Sequence, residues 1–528
     1  MTFTILNLGR PARAAAAALA VAATALFAGG TAEARGLTVA VQKLPDVLEP
    51  AMENSNVHLR VIYSIFDTLV KTDYRNGGQL KPALATDWEI ESPRSIVFTL
   101  REDVTFHNGA KMTAEDVAWA FGPERLNTRA EGTGSGGTVV VRPFLGGIES
   151  VEVLDRHRLR ITMAEDDALI LQRFANYPAQ IGSKAGFEAA GSWTEWAKQP
   201  VGTGPYEVAE FVFGERLVLR PFEGYWGESK AAAEEVTFVV VPEIATRIAG
   251  LRSGQFDIIT EVGPDHIAEI EQAQGVGIVG GSILNIRGLI YDSAGEGNPM
   301  ADPRVRQALN LAIDRQAIVD SLYDGKTEVT RGWQMEVFGD MYLADRPKSV
   351  YDVAQAKALL QEAGYDGEEI VYRSQQGYYT NQGQTAQILV SMWKQAGLNV
   401  RLDMVENWDQ IYEDTADRGI FDGSFTAYYP DPVGQIWRRF GPKGSWVQRG
   451  IYDLDESFVE LGTELETNPD VQARREVFAQ MLDAFKENPH GTPLHALTQF
   501  YGVRDDVDWT PYPTQYMNLT DAELSFAE

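Results

Sequence analysis

Ile283-Leu-Asn-Ile-Arg-Gly-Leu-Ile-Tyr291, followed after a loop by Asp302-Pro-Arg-Val-Arg-Gln-Ala-Leu-Asn-Leu-Ala-Ile-Asp-Arg315, joins two kinds of element in one short span. The first run is rich in Ile and Leu and lies between Gly280-Gly281 and Gly295-Glu-Gly297, which predicts a strand. The second opens on Asp302 as N-cap with Pro303 at the first helical position, and Val305, Leu309, Ala312 and Ile313 recur at helical spacing. A strand that leaves one lobe and a helix that opens another predict a two-lobed chain. The function is then expected in the cleft that this crossing spans.

Working outward, the 528 residues exceed what one hydrophobic core supports, so the chain must divide. Hydrophobic content of 44% with 23% charged residues is ordinary for a folded chain. The formal charge is −29, and a field of that sign repels nucleic acid and anionic headgroups, which excludes both as expected partners. Arg10 and Arg13, the apolar run Ala14–Ala28 and then Ala32-Glu33-Ala34 have the order of a secretory signal peptide, so the mature chain is expected to begin near Arg35. Cysteine is absent, so an exported chain of this kind must be held by core burial alone, and it offers no lipid attachment point. A free, monomeric protein of the periplasm is the expectation.

From Gly36 the pattern is a buried strand (Leu37–Val41), an amphipathic helix (Val57–Asp67), and a turn, strand and hairpin through Leu80–Trp88, Ser95–Arg101 and Val104–Gly109. Thr113-Ala-Glu-Asp116 has the spacing of a helix-opening cap. Beyond Asp302, helix and strand alternate: a helix Asp352–Ala363 stopped by Gly364, a strand Ile370–Tyr372, a helix Gln382–Ala396 stopped by Gly397 and a strand Val400–Met404.

Leu80-Lys-Pro-Ala-Leu-Ala-x-x-Trp88, Phe98-Thr-Leu-Arg101, Phe106-His-Asn-Gly109 and Thr113-Ala-Glu-Asp-Val117 resemble blocks of the family 5 extracellular solute-binding proteins, the peptide, nickel and opine receptors of bacterial ABC importers. Pro200-Val-Gly-Thr-Gly-Pro-Tyr206, Leu251-Arg-Ser-Gly-Gln-Phe-Asp257, the Asp302–Asp314 helix opening and, more loosely, Ala356–Tyr365 agree in order and spacing. The resemblance implies an α/β, two-lobed periplasmic-binding-protein fold (type II, cluster C) with an extra subdomain inserted in the first lobe. On this reading residues 1–34 are the signal peptide, 35–283 the first lobe with its insertion at about 72–199, 284–491 the second lobe, and 492–528 the return to the first.

The competing chemical motifs are weak. Gly132-x-Gly134-x-x-Gly137 matches a dinucleotide fingerprint only as a string, lacking the strand before and the helix after it, and reads as a loop. Ser391-x-x-Lys394 matches a penicillin-binding-enzyme pair without its companion motifs, which leaves an exported Ser/Lys hydrolase as the rival class. The six histidines form no helical zinc pair, so neither a metal nor a cofactor is expected.

The aromatic and polar run Phe421-Asp-Gly-Ser-Phe-Thr-Ala-Tyr-Tyr-Pro-Asp-Pro432 reads as a loop facing the crossing. Tyr428, Tyr429 and Asp431 on it are candidate ligand contacts, and Phe425, named with them, is expected to pack beneath the loop. Arg373 is a candidate carboxylate clamp, and Gln42, Tyr291 and Trp408 are further cleft candidates. The resemblance implies an Asp on this loop that pairs with the α-amino group of a peptide. Tyr428 stands in its place, leaving Asp431 or Glu406 to substitute. The expected function is solute capture for a membrane permease without catalysis. A peptide-like or opine solute ranks first and an oligosaccharide second, with a chaperone or signalling role on the same fold as a further possibility.

Overall fold

The computed structural model describes residues 35–126, 138–295, 297–413 and 419–527. The expected signal peptide (1–34) and the Gly132–Gly137 string lie outside the described residues. Ten strands join in one mixed sheet, in the spatial order Val400–Val405, Ile370–Gln375, Ile420–Thr426, Val276–Tyr291, Gly491–Arg504, Ile258–Ile259, Gly36–Val41, Glu235–Val240, Arg216–Pro221 and Tyr206–Val212. The apolar run Leu37–Val41 pairs in parallel with Val236–Val240 on one side, as buried strands covered on both faces do. Helices cover the other end. Asp352 caps Val353–Ala363 through the Gln355 N–H, and Gly364 closes it in the left-handed conformation.

Two long strands tie the halves together. Val276–Tyr291 and Gly491–Arg504 run antiparallel to each other from Val276 opposite Arg504 to Ile290 opposite Gly491, with a register shift between Ser282 and Ile286. At one end the second strand pairs with Ile258–Ile259; at the other the first pairs with Ile420–Thr426. Each strand therefore belongs to one lobe at its start and to the other at its end.

The crossing strand begins seven residues earlier than the sequence suggests, at Val276, and Gly280-Gly281 lie inside it. The reason is proximity. A Cβ on Gly280 would stand 2.2 Å from the Gln499 carbonyl oxygen of the partner strand, so the glycine permits close approach of two backbones and does not end the strand. Past the crossing, Val305, Ala308, Leu309, Ala312 and Ile313 are all buried beneath the second lobe. Fully burying a Leu or Ile contributes roughly 1.5–3 kcal/mol.

A separate four-stranded antiparallel sheet, Ala85–Ser92, Ser95–Leu100, Arg158–Met163 and Ile148–Asp155, falls within 72–199. Its first helix opens as the spacing suggests, with the Asp116 carboxylate accepting from both the Thr113 N–H and its hydroxyl at 3.0 Å. Two sequence blocks far apart in the chain dock here on one side chain. His107 accepts from the Gly202 N–H through Nδ1 at 3.3 Å and donates through Nε2 to the Gly204 carbonyl at 3.1 Å, while its own N–H donates to the Gly202 carbonyl at 3.0 Å.

Candidate functional site

A cavity of about 380 Å³ lies beside the crossing, with walls from both lobes. The first lobe supplies the polar loop Glu53–Asn56, which leads into the helix Asn56–Ile65; the second supplies Tyr378, Trp408, Ser424, Tyr428, Arg439 and Trp446. A larger cavity of about 780 Å³ takes only Thr426–Tyr428 from the second lobe, the rest of its wall coming from the chain before residue 230 and after residue 511. Thr426 and Tyr428 are shared between the two. The smaller cavity is the better candidate because a gap walled from both sides is what a hinged pair can open and close.

The lobes meet across it. The Asn56 N–H donates to the Tyr378 hydroxyl at 3.0 Å, and beside it, at the larger cavity, the Tyr74 hydroxyl donates to the Tyr428 carbonyl at 2.7 Å. The aromatic wall is ordered: Trp408 stacks on Tyr412 at 5.9 Å and takes Tyr378 edge-on at 5.2 Å. On the first-lobe side the Glu53 carboxylate accepts from the Asp46 and Val47 N–H groups at 2.9 and 3.3 Å and from the Ser55 hydroxyl. Burial nevertheless pushes the Glu53 carboxyl up to about 7.

A buried network beneath the site fixes its second-lobe wall. Asp422, fully buried, accepts from the Arg287 guanidinium, the Tyr372 hydroxyl at 2.8 Å, the Ser374 hydroxyl and the Gln382 amide at 2.8 Å. Gln382 in turn accepts from the Tyr378 and Tyr379 N–H groups at 3.1 Å, and Arg287 lies 4.0 Å over the Tyr379 ring. One carboxylate thus orients the Tyr378–Tyr379 turn through a single amide.

Of the residues singled out in the sequence, Trp408 and Tyr428 line this cavity, and Gln42 lines a narrow neighbouring gap with its amide oxygen engaged by Arg60 and Thr260. The others are corrected. Phe421–Thr426 is strand, not loop, and Phe425 is fully buried at 4.0 Å from Trp333 and stacked on Phe440, because strand alternation turns it into the core. Tyr291 is core as well, its hydroxyl donating to Asn310 at 2.6 Å. Tyr429 is fully buried with its ring against Gly434. Asp431 is already paired with Arg474 at 2.7 Å and caps the Val433 N–H, so it is not available to an ammonium. Glu406 is exposed and lies off the cavity wall. Arg373 points its Nη1 at the carbonyls of Gln410, Ile411 and Glu413, at the end of the helix that carries Trp408, and is not on the cavity wall.

Glu53, Asn54, Asn56, Tyr378, Ser424, Arg439 and Trp446 were not singled out from the sequence. The one local signal was Ser55, an N-cap placed three residues before His58, which marks a loop entering a helix but not what the loop faces. Ser391 and Lys394 are both exposed on the helix Gln382–Gln395 and line none of these cavities. Among the described residues no cluster of three or more His, Asp or Glu is placed to hold a metal, and no helix is long and apolar enough to cross a membrane.

Residues 79–446 match the bacterial extracellular solute-binding proteins, family 5 Middle. The chain is 26% identical over 353 residues to the dipeptide-binding protein of Escherichia coli, a match covering 64% of this chain and 65% of that protein. It is 25% identical over 471 residues to di/tripeptide-binding protein 3 of Pseudomonas aeruginosa, covering 84% and 86%. Its fold is similar, at a TM-score of 0.83 and 21% identity, to the ABC transporter-associated periplasmic binding protein DppA of Helicobacter pylori in complex with peptide STSA, covering 94% of this chain and 99% of that one.

Proposed function

The chain belongs to the bacterial extracellular solute-binding proteins of family 5, and from that premise we propose that it captures a peptide or peptide-like solute, opines included, in the cavity between Glu53–Asn56 and Tyr378–Tyr428 and delivers it to an ABC permease. The observation that carries this is the shared wall: neither lobe alone supplies both the polar loop and the aromatic face. A solute touching both favours the closed arrangement by the difference in its affinity for closed and open forms, and the closed form docks on the permease. The peptide class is supported by the names of the relatives from E. coli and P. aeruginosa. We place the lobe boundaries at 35–283 with 492–528, and at 284–491, with the insertion at about 72–199. The protein works as a periplasmic monomer freed of residues 1–34.

The stacked Trp408 and Tyr412 with Tyr378 at their edge favour a second reading, since sugar faces pack on such rings. Native mass spectrometry of the freshly purified protein separates the two. A retained peptide-like solute supports the first and a saccharide the second. If no solute is retained and small-angle scattering shows a single shape with every peptide and sugar offered, the capture reading fails.

A further inference from the structure

In a chain with 75 acidic and 46 basic residues, buried arginines find partners: Arg287 with Asp422, Arg474 with Asp431, Arg125 with Glu49 and Arg173 with Asp167. Arg438 and Arg439, neighbours on the short helix Ile436–Phe440, do not. Neither guanidinium has a hydrogen-bond or ion-pair partner among the described residues. Arg438 is 3% exposed, with Nε and Nη2 buried and unpartnered, and lies 4.1 Å over the ring of Tyr428. Arg439 has Nε buried and unpartnered, lies 5.0 Å over Trp446 and lines the 380 Å³ cavity.

The acids on that cavity wall are occupied elsewhere. Asp46 is paired with Lys43 at 3.5 Å, and Glu53 is hydrogen-bonded within its own loop. Arg438 is a cation withdrawn from water with no anion against it, and half-buried Arg439 beside it lines a cavity that an anion can enter. We propose that the captured solute carries a carboxylate, that Arg439 binds it across the aromatic wall, and that Arg438, behind Tyr428, adds its field to the same point. This rests on the cavity being the capture site and names the charge of what it takes. A carboxylate suits because its two oxygens match the planar fork of a guanidinium. Arg438 is pushed down to about 9, by burial first and by Arg439 next, so it keeps its charge at neutral pH.

Dialanine and dialaninamide are the probes, titrated calorimetrically into the wild type, Arg439→Gln and Arg439→Lys. The overall field of a chain at −29 favours the more cationic amide, so a preference for the acid must arise locally. Dialanine is expected to bind the wild type at least about tenfold tighter than the amide, Arg439→Gln to lose the difference, and Arg439→Lys to keep part of it. The solute-free Arg439→Gln protein should melt close to the wild type, because among the described residues it loses no hydrogen bond or ion pair, only its place over the Trp446 ring; loss of the cooperative transition would mark Arg439 as structural and overturn the assignment. Equal binding of the two probes, or an undiminished preference in Arg439→Gln, overturns the carboxylate while leaving solute capture standing. Binding of neither probe overturns the peptide class together with it.

Discussion

Glu53 is the acid that the sequence did not single out, and its environment sets a measurable sign. Burial raises its folded-state pKa from 4.5 to about 7, against the pull of its hydrogen bonds. The folded protein then binds the proton more tightly than the unfolded chain. The penalty for ionised Glu53 is absent below about 4.5 and complete above about 7. Glu53→Gln should therefore gain stability relative to the wild type as pH rises from 4.5 to 8, read as the difference between their urea midpoints; a difference that stays constant or shrinks would contradict the assignment. Tyr428 makes the complementary point. Counting back from Asp431-Pro432 was enough to find it, but the sequence could not show that Arg438 lies against its ring. Where the family resemblance implies an acid, this chain offers an aromatic face backed by positive charge.

At the scale of elements, the two crossing strands decide what the lobes can do. Gly280 adopts φ +104°, in the region that favours glycine, and has no room for a Cβ. Gly280→Ala should destabilise the protein by about 1–3 kcal/mol through strain and the contact with the Gln499 carbonyl, measured by equilibrium denaturation; an unchanged midpoint would show that the strand relaxes freely. The same position marks the limit of sequence reading. A Gly-Gly pair commonly signals a boundary, and only the partner strand, more than 200 residues downstream, reveals it as a close approach. Local devices were legible because they are local: the Asp302 and Asp352 caps, the Gly364 stop and the buried face of Pro303–Leu311. Cavity walls were not. Phe425 and Ser424 are adjacent on one strand, and alternation sends one into the core and the other to the cavity, a choice that depends on register.

At the scale of the molecule, opposing protonation terms shape the response to acid. Burial lowers His58 to about 3 and His107, His490 and His495 to about 4 from 6.5, so each takes up a proton on unfolding and draws stability down as pH falls below 6.5. Three acids whose carboxyls are raised by desolvation act in the other direction: Glu53, Asp67 raised from 3.8 to about 6, and the buried Asp431, all of which favour the folded state as they protonate. Between about pH 6.5 and 5 the four histidines outweigh Glu53 and Asp67, leaving about two protons uncompensated. Below about 4.5 the gain from Glu53 is complete while the histidines still resist charging. Below 3.8, Asp73 and Asp506, held down to about 2 chiefly by hydrogen bonds from Lys81 and Arg504, begin to surrender theirs. Each uncompensated proton then contributes a slope of about 1.4 kcal/mol per pH unit. Urea midpoints should decline from about pH 6.5 and keep falling through the acid range; midpoints level from pH 7 to 5, or a maximum near pH 4, would mean that the raised acids outweigh the histidines. His58→Phe tests the balance directly. Both His58 ring nitrogens are buried with no hydrogen-bond partner, so the substitution forfeits no bond, removes one proton from the acid limb and should make that limb shallower while leaving the plateau above pH 6.5 in place.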